Sequence, residues 1–147
     1  MNTSTISKPP HHDKLHLLSI EIVNASLEDD SETFWEAYNQ IKEICEAHEG
    51  SNLDHPFQWE TLADFTSTHN EAMPFYFKAL NLARELELVE YVATINLAIA
   101  EQYFNFDDLS KAWNYACAAD IVAIDLEDLG LKKEISEMLL KLGEYIK

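Results

Sequence analysis

Glycine and proline are scarce in this sequence, with three glycines and four prolines among 147 residues. Sheets and long loops rely on that punctuation, so its shortage points away from a β-rich fold. Cysteine is scarce too. Cys45 and Cys117 are the only two, they show no C-x-x-C spacing, and each falls inside an apolar helical pattern. That suits two buried thiols in a reducing compartment rather than a disulfide framework. No uncharged apolar run reaches the roughly 18 residues a membrane span needs. The stretch Met1 to Pro10 lacks the apolar core of a secretion signal, so a cytoplasmic location is expected.

Basic side chains are the third shortage. Ten Lys and Arg face twenty-seven Asp and Glu, a net charge of −17. Residues 130–147 carry four Lys against three Glu, which leaves −18 on residues 1–129. Such a field repels nucleic-acid phosphates and anionic lipid and speeds encounter with a basic partner. It also serves solubility.

Catalytic signatures are missing as well: there is no G-x-S-x-G, no Gly-rich phosphate loop and no H-E-x-x-H. With so many acids, paired carboxylates at any spacing arise by chance and indicate nothing. A cysteine nucleophile needs an electropositive setting, the opposite of this chain. His11, His12, Asp13 and His16 include an i, i+4 histidine pair but no third ligand at metal spacing. His48, His55 and His69 fall near helix ends, where capping and dipole effects account for them. Neither an enzyme, a metal nor a cofactor is expected.

What remains is helix. Hydrophobic residues make up 47% of the chain, ample for one folded domain. Residues 1–12 read as a disordered tail containing Pro9-Pro10, and residues 13–147 as a single helical domain. Seven helices follow from the apolar spacing. The first runs from Asp13 to Ser26 through Leu15, Leu18, Ile22 and Ala25. The second runs from Glu32 to His48, with Gly50 as its stop. The third starts at Pro56 and carries Trp59, Leu62 and Ala63. Asn70 is the expected N-cap of the fourth, whose apolar face is Phe75, Tyr76, Ala79, Leu80 and Ala83. The fifth spans Leu88 to Phe104, and Asp107 is the expected cap of the sixth. Gly130 ends the sixth, and Leu131 to Tyr145 form the seventh.

An offset of 37 residues aligns Leu62-Ala63 with Ile99-Ala100, Phe75 with Ala112, Tyr76 with Trp113, Ala79 with Ala116 and Leu82 with Ala119. It then fails, because Ala83 falls opposite Asp120. Ile99, Ala100 and Tyr103 form a large-small-aromatic set on one helix, and Ala112, Ala116 and Ala119 a small-residue set on the next. In these residues the chain resembles the tetratricopeptide repeat family. The resemblance is good over residues 88–120, fair over 56–86 and weak elsewhere. Leu142-Gly143 repeats the large-small pair in the last helix. The resemblance implies an all-α fold of about seven antiparallel helices stacked as hairpins, with a solitary C-terminal helix; a plain helical bundle is the alternative. It further implies a concave face lined by the odd-numbered helices, which the family uses to bind peptides or helices.

Counting from the large-small pairs places Glu60, Asp64, Thr94, Glu101, Asn105, Glu137 and Glu144 on that concave face, with Leu97 and Leu140 among them. Five of the seven polar positions are carboxylates and none is basic. Family members that clamp a C-terminal carboxylate carry Lys, Arg and Asn there, so this groove suits a cationic segment instead. Tyr103, Phe104 and Phe106 are too close in sequence to share one buried face, which marks Phe104 as a groove-facing hydrophobic anchor. The expected function is an acidic protein-binding module of the inhibitor or immunity type that neutralises a basic protein, such as a toxin domain. A secretion or assembly chaperone holding a client segment is the alternative. Neither nucleic acid nor membrane is an expected partner.

Overall fold

The computed structural model describes residues 8–146, and every regular element among them is an α-helix. The helices are α1 (His12–Leu27), α2 (Ser31–His48), α3 (Pro56–Asp64), α4 (His69–Glu85), α5 (Val89–Asn105), α6 (Leu109–Ala123) and α7 (Leu129–Tyr145). Residues 1–7, most of the expected disordered tail, lie outside the described residues. Lys8 to His11 are placed: His11 stacks on His48 with ring centroids 4.4 Å apart, and His12 stacks on Phe57 at 5.4 Å. Among the described residues no helix is long and apolar enough to cross a membrane.

Aspartates start three of the helices. Asp30 accepts from the Thr33 amide at 3.1 Å and from the Thr33 hydroxyl at 2.6 Å. Asp108 and Asp128 accept from the amides of Lys111 and Leu131 at 3.2 and 3.0 Å. Each carboxylate satisfies an orphan donor and faces the positive end of the helix dipole. Three expected boundaries move. Thr68, without a side-chain bond, occupies the cap position expected for Asn70. Asp108 takes the capping role expected of Asp107. Gly130, expected as the stop of α6, lies in the first turn of α7, while α6 has already ended at Ala123.

One corner recurs. Asp29, Glu87 and Asp107 all adopt left-handed backbone, with φ of 55°, 56° and 59°. In each case the next amide reaches back to a carbonyl of the preceding helix: Asp30 to Ala25 at 2.8 Å, Leu88 to Ala83 at 2.9 Å and Asp108 to Tyr103 at 2.9 Å. This is the hydrogen bond that usually accompanies a glycine at a helix C-terminus. The chain manages with three glycines because acidic residues hold the left-handed positions instead, against their steric preference.

The apolar faces close into two cores that share α5. Leu15, Leu18 and Ile22 of α1, Ile41 and Cys45 of α2, Leu62 of α3, and Ala79 and Leu80 of α4 meet Ile95 and Ile99 in the first. Ala93, Leu97 and Ala100 of α5, the alanines of α6, and Leu131, Ile135 and Leu142 of α7 make the second. The Cys45 thiol donates to the Gln58 carbonyl at 3.2 Å, and burial pushes its pKa up to about 12. Cys117 is only half-buried, contrary to the expectation of two buried thiols. Trp35 and Trp113 are exposed, so Trp59 is the single tryptophan of the core.

Packing order follows chain order, with one addition. Beyond its sequence neighbours, α1 touches α3, α3 touches α5 and α5 touches α7, whereas no even-numbered helix touches another among the described residues. The odd helices therefore form one layer and the even helices lie outside it. Burial can be set against the 37-residue alignment. The 37-residue offset holds between α3 and α5, where Leu62-Ala63 and Ile99-Ala100 are all fully or almost fully buried. Between α4 and α6 the buried positions instead pair Ala72 with Ala112, Tyr76 with Ala116, Ala79 with Ala119 and Ala83 with Ala123. The offset there is 40, because α5 runs a turn further than α3 before its corner. The clash of Ala83 with Asp120 was thus a register slip, and α4 carries more of the small-residue pattern than the 37-residue alignment shows. Gly143 of α7 has open space where a Cβ would stand, so no close packing requires it.

Two stability outcomes follow. Ala100 and Ala116 have no exposed surface, so Ala100→Leu and Ala116→Leu should each destabilise by roughly 1–3 kcal/mol through overpacking. Neutral behaviour of both in chemical denaturation would contradict the packing described. Glu87→Gly should raise stability by about 0.5–1 kcal/mol by relieving the left-handed corner, and a lowered midpoint would show that Glu87 makes a contact that outweighs its strain.

Candidate functional site: an acidic cleft on the odd-helix layer

Helical spacing sets the site. Glu60 and Asp64 stand one turn apart on α3, and Tyr91 and Thr94 one turn apart on α5. Because α3 and α5 are neighbours in the odd layer, these residues face each other across a cleft of about 730 Å³. Its carboxylates are Glu60, Asp64 and Glu90, and its apolar walls come from Phe57, Leu88, Tyr91 and the Pro9-Pro10 lead-in to α1. His55 closes one end. As the N-cap of α3 its Nδ1 accepts from the Phe57 amide at 3.0 Å, and burial lowers its pKa. A smaller cleft of about 230 Å³ lies between α5 and α7, bordered by Leu97, Glu101, Glu134, Glu137, Met138 and Lys141.

The carboxylates of the first cleft are held in an unfavourable setting. Burial raises the pKa of Glu60 to about 8, with the neighbouring Asp64 charge adding to the rise and Thr94 opposing it. Asp64 is exposed at the cleft rim, yet partial burial of its carboxyl raises its pKa even though the Tyr76 hydroxyl donates to it at 2.6 Å. Glu101 is raised by burial and then by Glu134 and Asp64, while Lys141 pulls it back. The mutual influence of Glu60, Asp64, Glu101 and Glu134 makes one continuous acidic row along the odd layer. Its charge at neutral pH is smaller than a count of carboxylates suggests, because burial favours the protonated form of Glu60.

Of the eight residues singled out in the sequence, Glu60, Asp64 and Thr94 meet in the first cleft, and Glu101 and Glu137 in the second. Phe104 is half-buried, lies edge-on against Tyr145 at 5.6 Å and carries the Lys141 ammonium 4.7 Å from its ring centre. Asn105 and Glu144 are exposed and border neither cleft. Leu140 is exposed, whereas Leu97 is buried in the second core. The other two aromatics of the run also have partners: Tyr103 stacks on Tyr115 at 5.6 Å and Phe106 on His69 at 4.0 Å. Sequence reasoning missed Tyr91 and Glu134. Each lies one turn before a residue it did find, so helical spacing alone could have included them. Nothing in the sequence pointed to Pro9 and Pro10.

The histidines near α1 form no ligand set. His12 and His16 stack with centroids 6.2 Å apart, and His12 Nδ1 lies 3.1 Å from Asp13. Among the described residues no three His, Cys, Asp or Glu side chains converge on a metal-ion position. Neither family models, curated proteins nor solved structures match this chain.

The raised Glu60 has a thermodynamic consequence. Its folded pKa, about 8, exceeds its ordinary value of 4.5, so its contribution to stability is complete below about pH 4.5 and is lost as pH rises through 8. Denaturation at about pH 5 and about pH 8.5 should show the wild type losing roughly 1–3 kcal/mol more than Glu60→Gln over that interval. Equal losses would mean that Glu60 ionises like a surface carboxylate.

Proposed function

We propose that this chain is an acidic protein-binding module of the inhibitor or immunity type, which neutralises a basic protein such as a toxin domain by covering it. The observation that carries the reading is the continuous carboxylate row, Glu60, Asp64, Glu101 and Glu134, on one layer of helices. A row of this kind steers a cationic surface into register and raises its association rate. The architecture proposed with it is a tetratricopeptide-like stack of hairpins with α7 as a solitary final helix. The contacts between successive odd helices and the two buried alanine sets of α4 and α6 support that arrangement. Binding rather than catalysis is the proposed activity. A cytoplasmic setting accords with the free cysteines.

A second reading, a chaperone for an extended client segment, draws support from the apolar walls at Pro9, Pro10, Phe57, Leu88 and Tyr91. The two readings differ in salt dependence. For a basic partner, such as the product of a neighbouring gene, Glu101→Lys and Glu137→Lys should slow association about tenfold and flatten its dependence on salt. Asp120→Lys, on the exposed side of α6, should leave the association rate unchanged. Binding indifferent to salt would remove the electrostatic reading in favour of the client-segment one, and equal effects from Asp120→Lys would move the interface off the odd layer.

A further inference from the structure

The two clefts differ in one respect that the acidic row conceals. In the cleft between α5 and α7, Lys141 already stands among Glu101, Glu134 and Glu137. In the larger cleft no carboxylate is ion-paired among the described residues. The ion pairs among the described residues join Lys8 and His12 to Asp13, Lys78 to Glu49 and Lys111 to Asp108, and none reaches Glu60, Asp64 or Glu90. Lys8 borders the cleft, but its ammonium is engaged 3.2 Å from Asp13. The larger cleft therefore combines apolar walls with carboxylates that form no ion pair among the described residues.

We propose that this cleft is the seat of a single arginine side chain presented by the partner polypeptide, its guanidinium received by Glu60 and Asp64 and its flat face lying along Tyr91. The inference rests on the reading of the chain as an acidic binding module and names the group that module recognises. Charge complementarity selects a cation. The aromatic wall then favours arginine over lysine, because a guanidinium is planar, is weakly hydrated and stacks on aromatic faces. A cleft of about 730 Å³ also falls within the range that encloses a small ligand, so it has room for the side chain and the backbone on either side.

Proton linkage follows from the same geometry. Glu60 is accompanied by Asp64 on its own helix and by Tyr76 of α4, and it shares the cleft with Glu90, Tyr91 and Thr94 of α5, His55 and Lys8. Burial keeps His55 neutral and Tyr76 protonated in the range where Glu60 titrates. An incoming guanidinium must therefore displace the Glu60 proton, and affinity rises with pH until Glu60 is ionised without it.

The test is a titration of the full-length, isotope-labelled chain with the blocked peptide acetyl-Gly-Arg-Gly-amide and its citrulline counterpart, followed by amide NMR shifts. The arginine peptide should give saturable shifts over residues 57–64 and 90–94, with a dissociation constant on the order of 1 mM. It should bind several-fold more tightly at about pH 9 than at about pH 6. The citrulline peptide should not bind. Glu60→Gln should weaken binding about tenfold and remove the pH dependence, whereas Asp120→Asn should match the wild type. Should Glu60→Gln fold poorly, the wild-type pH profile and the citrulline contrast decide alone. Equal binding of citrulline, shifts centred on Glu134 to Lys141, or no saturable shift would overturn the proposal. If the peptide fails while a basic protein still binds with rates sensitive to Glu101→Lys, the arginine seat falls and the acidic module stands. If the peptide binds but no carboxylate reversal affects any basic protein, the seat stands and the module reading falls.

Discussion

Helix α5 is buried on two sides, and the rest of the molecule is arranged around that constraint. Val92, Ile95 and Ile99 project into the core built with α1 to α4, while Ala93, Leu97 and Ala100 project into the core built with α6 and α7. A helix in this position has little surface left for water, and the small residues on one of its sides decide how closely α6 can approach. The alanines at 112, 116 and 119 answer Ala93 and Ala100 with equally small side chains, so the backbones come close and dispersion contacts accumulate along the pair. A larger side chain on either helix would push α6 outward.

The same constraint places the acidic row. With its flanks committed to the two cores, α5 keeps only one narrow open strip, and Glu90, Tyr91, Thr94 and Glu101 occupy it. Contact of α3 and α7 with α5 sets Glu60, Asp64, Glu134 and Glu137 alongside. Glu60, Asp64 and Glu101, partly out of water, hold their protons more tightly than on an open helix. The packing of α3, α5 and α7 therefore gathers part of a general excess of acid along one strip. The corners serve this arrangement too, since the recurring left-handed residue lets helices turn within three residues and keeps the layers in step.

The all-helical class, the helix count and most core positions could be read from the sequence, because apolar spacing at a period near 3.6 depends only on local geometry. Leu15, Leu18, Ile22 and Ala25 illustrate this: their spacing predicts one face, and all four are buried. Helix ends were less legible. Asp107 and Asp108 are adjacent and chemically alike, and only the path of the chain decides which one turns the corner and which one caps. The 37-residue alignment broke down beyond α5 for a related reason, since an extra turn on α5 shifts everything after it without leaving a mark in composition.

For the site, the sequence determined that Glu60 and Asp64 share a face of one helix, that Glu101 lies two turns beyond Thr94, and that no basic residue alternates with them. Only the tertiary structure decided which of these meet. It joined Glu60 to Thr94 across α3 and α5, left Asn105 and Glu144 outside both clefts, and turned Phe104 against Tyr145 and Lys141. It also brought Pro9 and Pro10 to the cleft wall and held Glu60 where its charge is costly. The reason is one of range: the face a side chain occupies is fixed by the few residues of its own turn, whereas its neighbours across a cleft, and the water they exclude, depend on how whole helices pack.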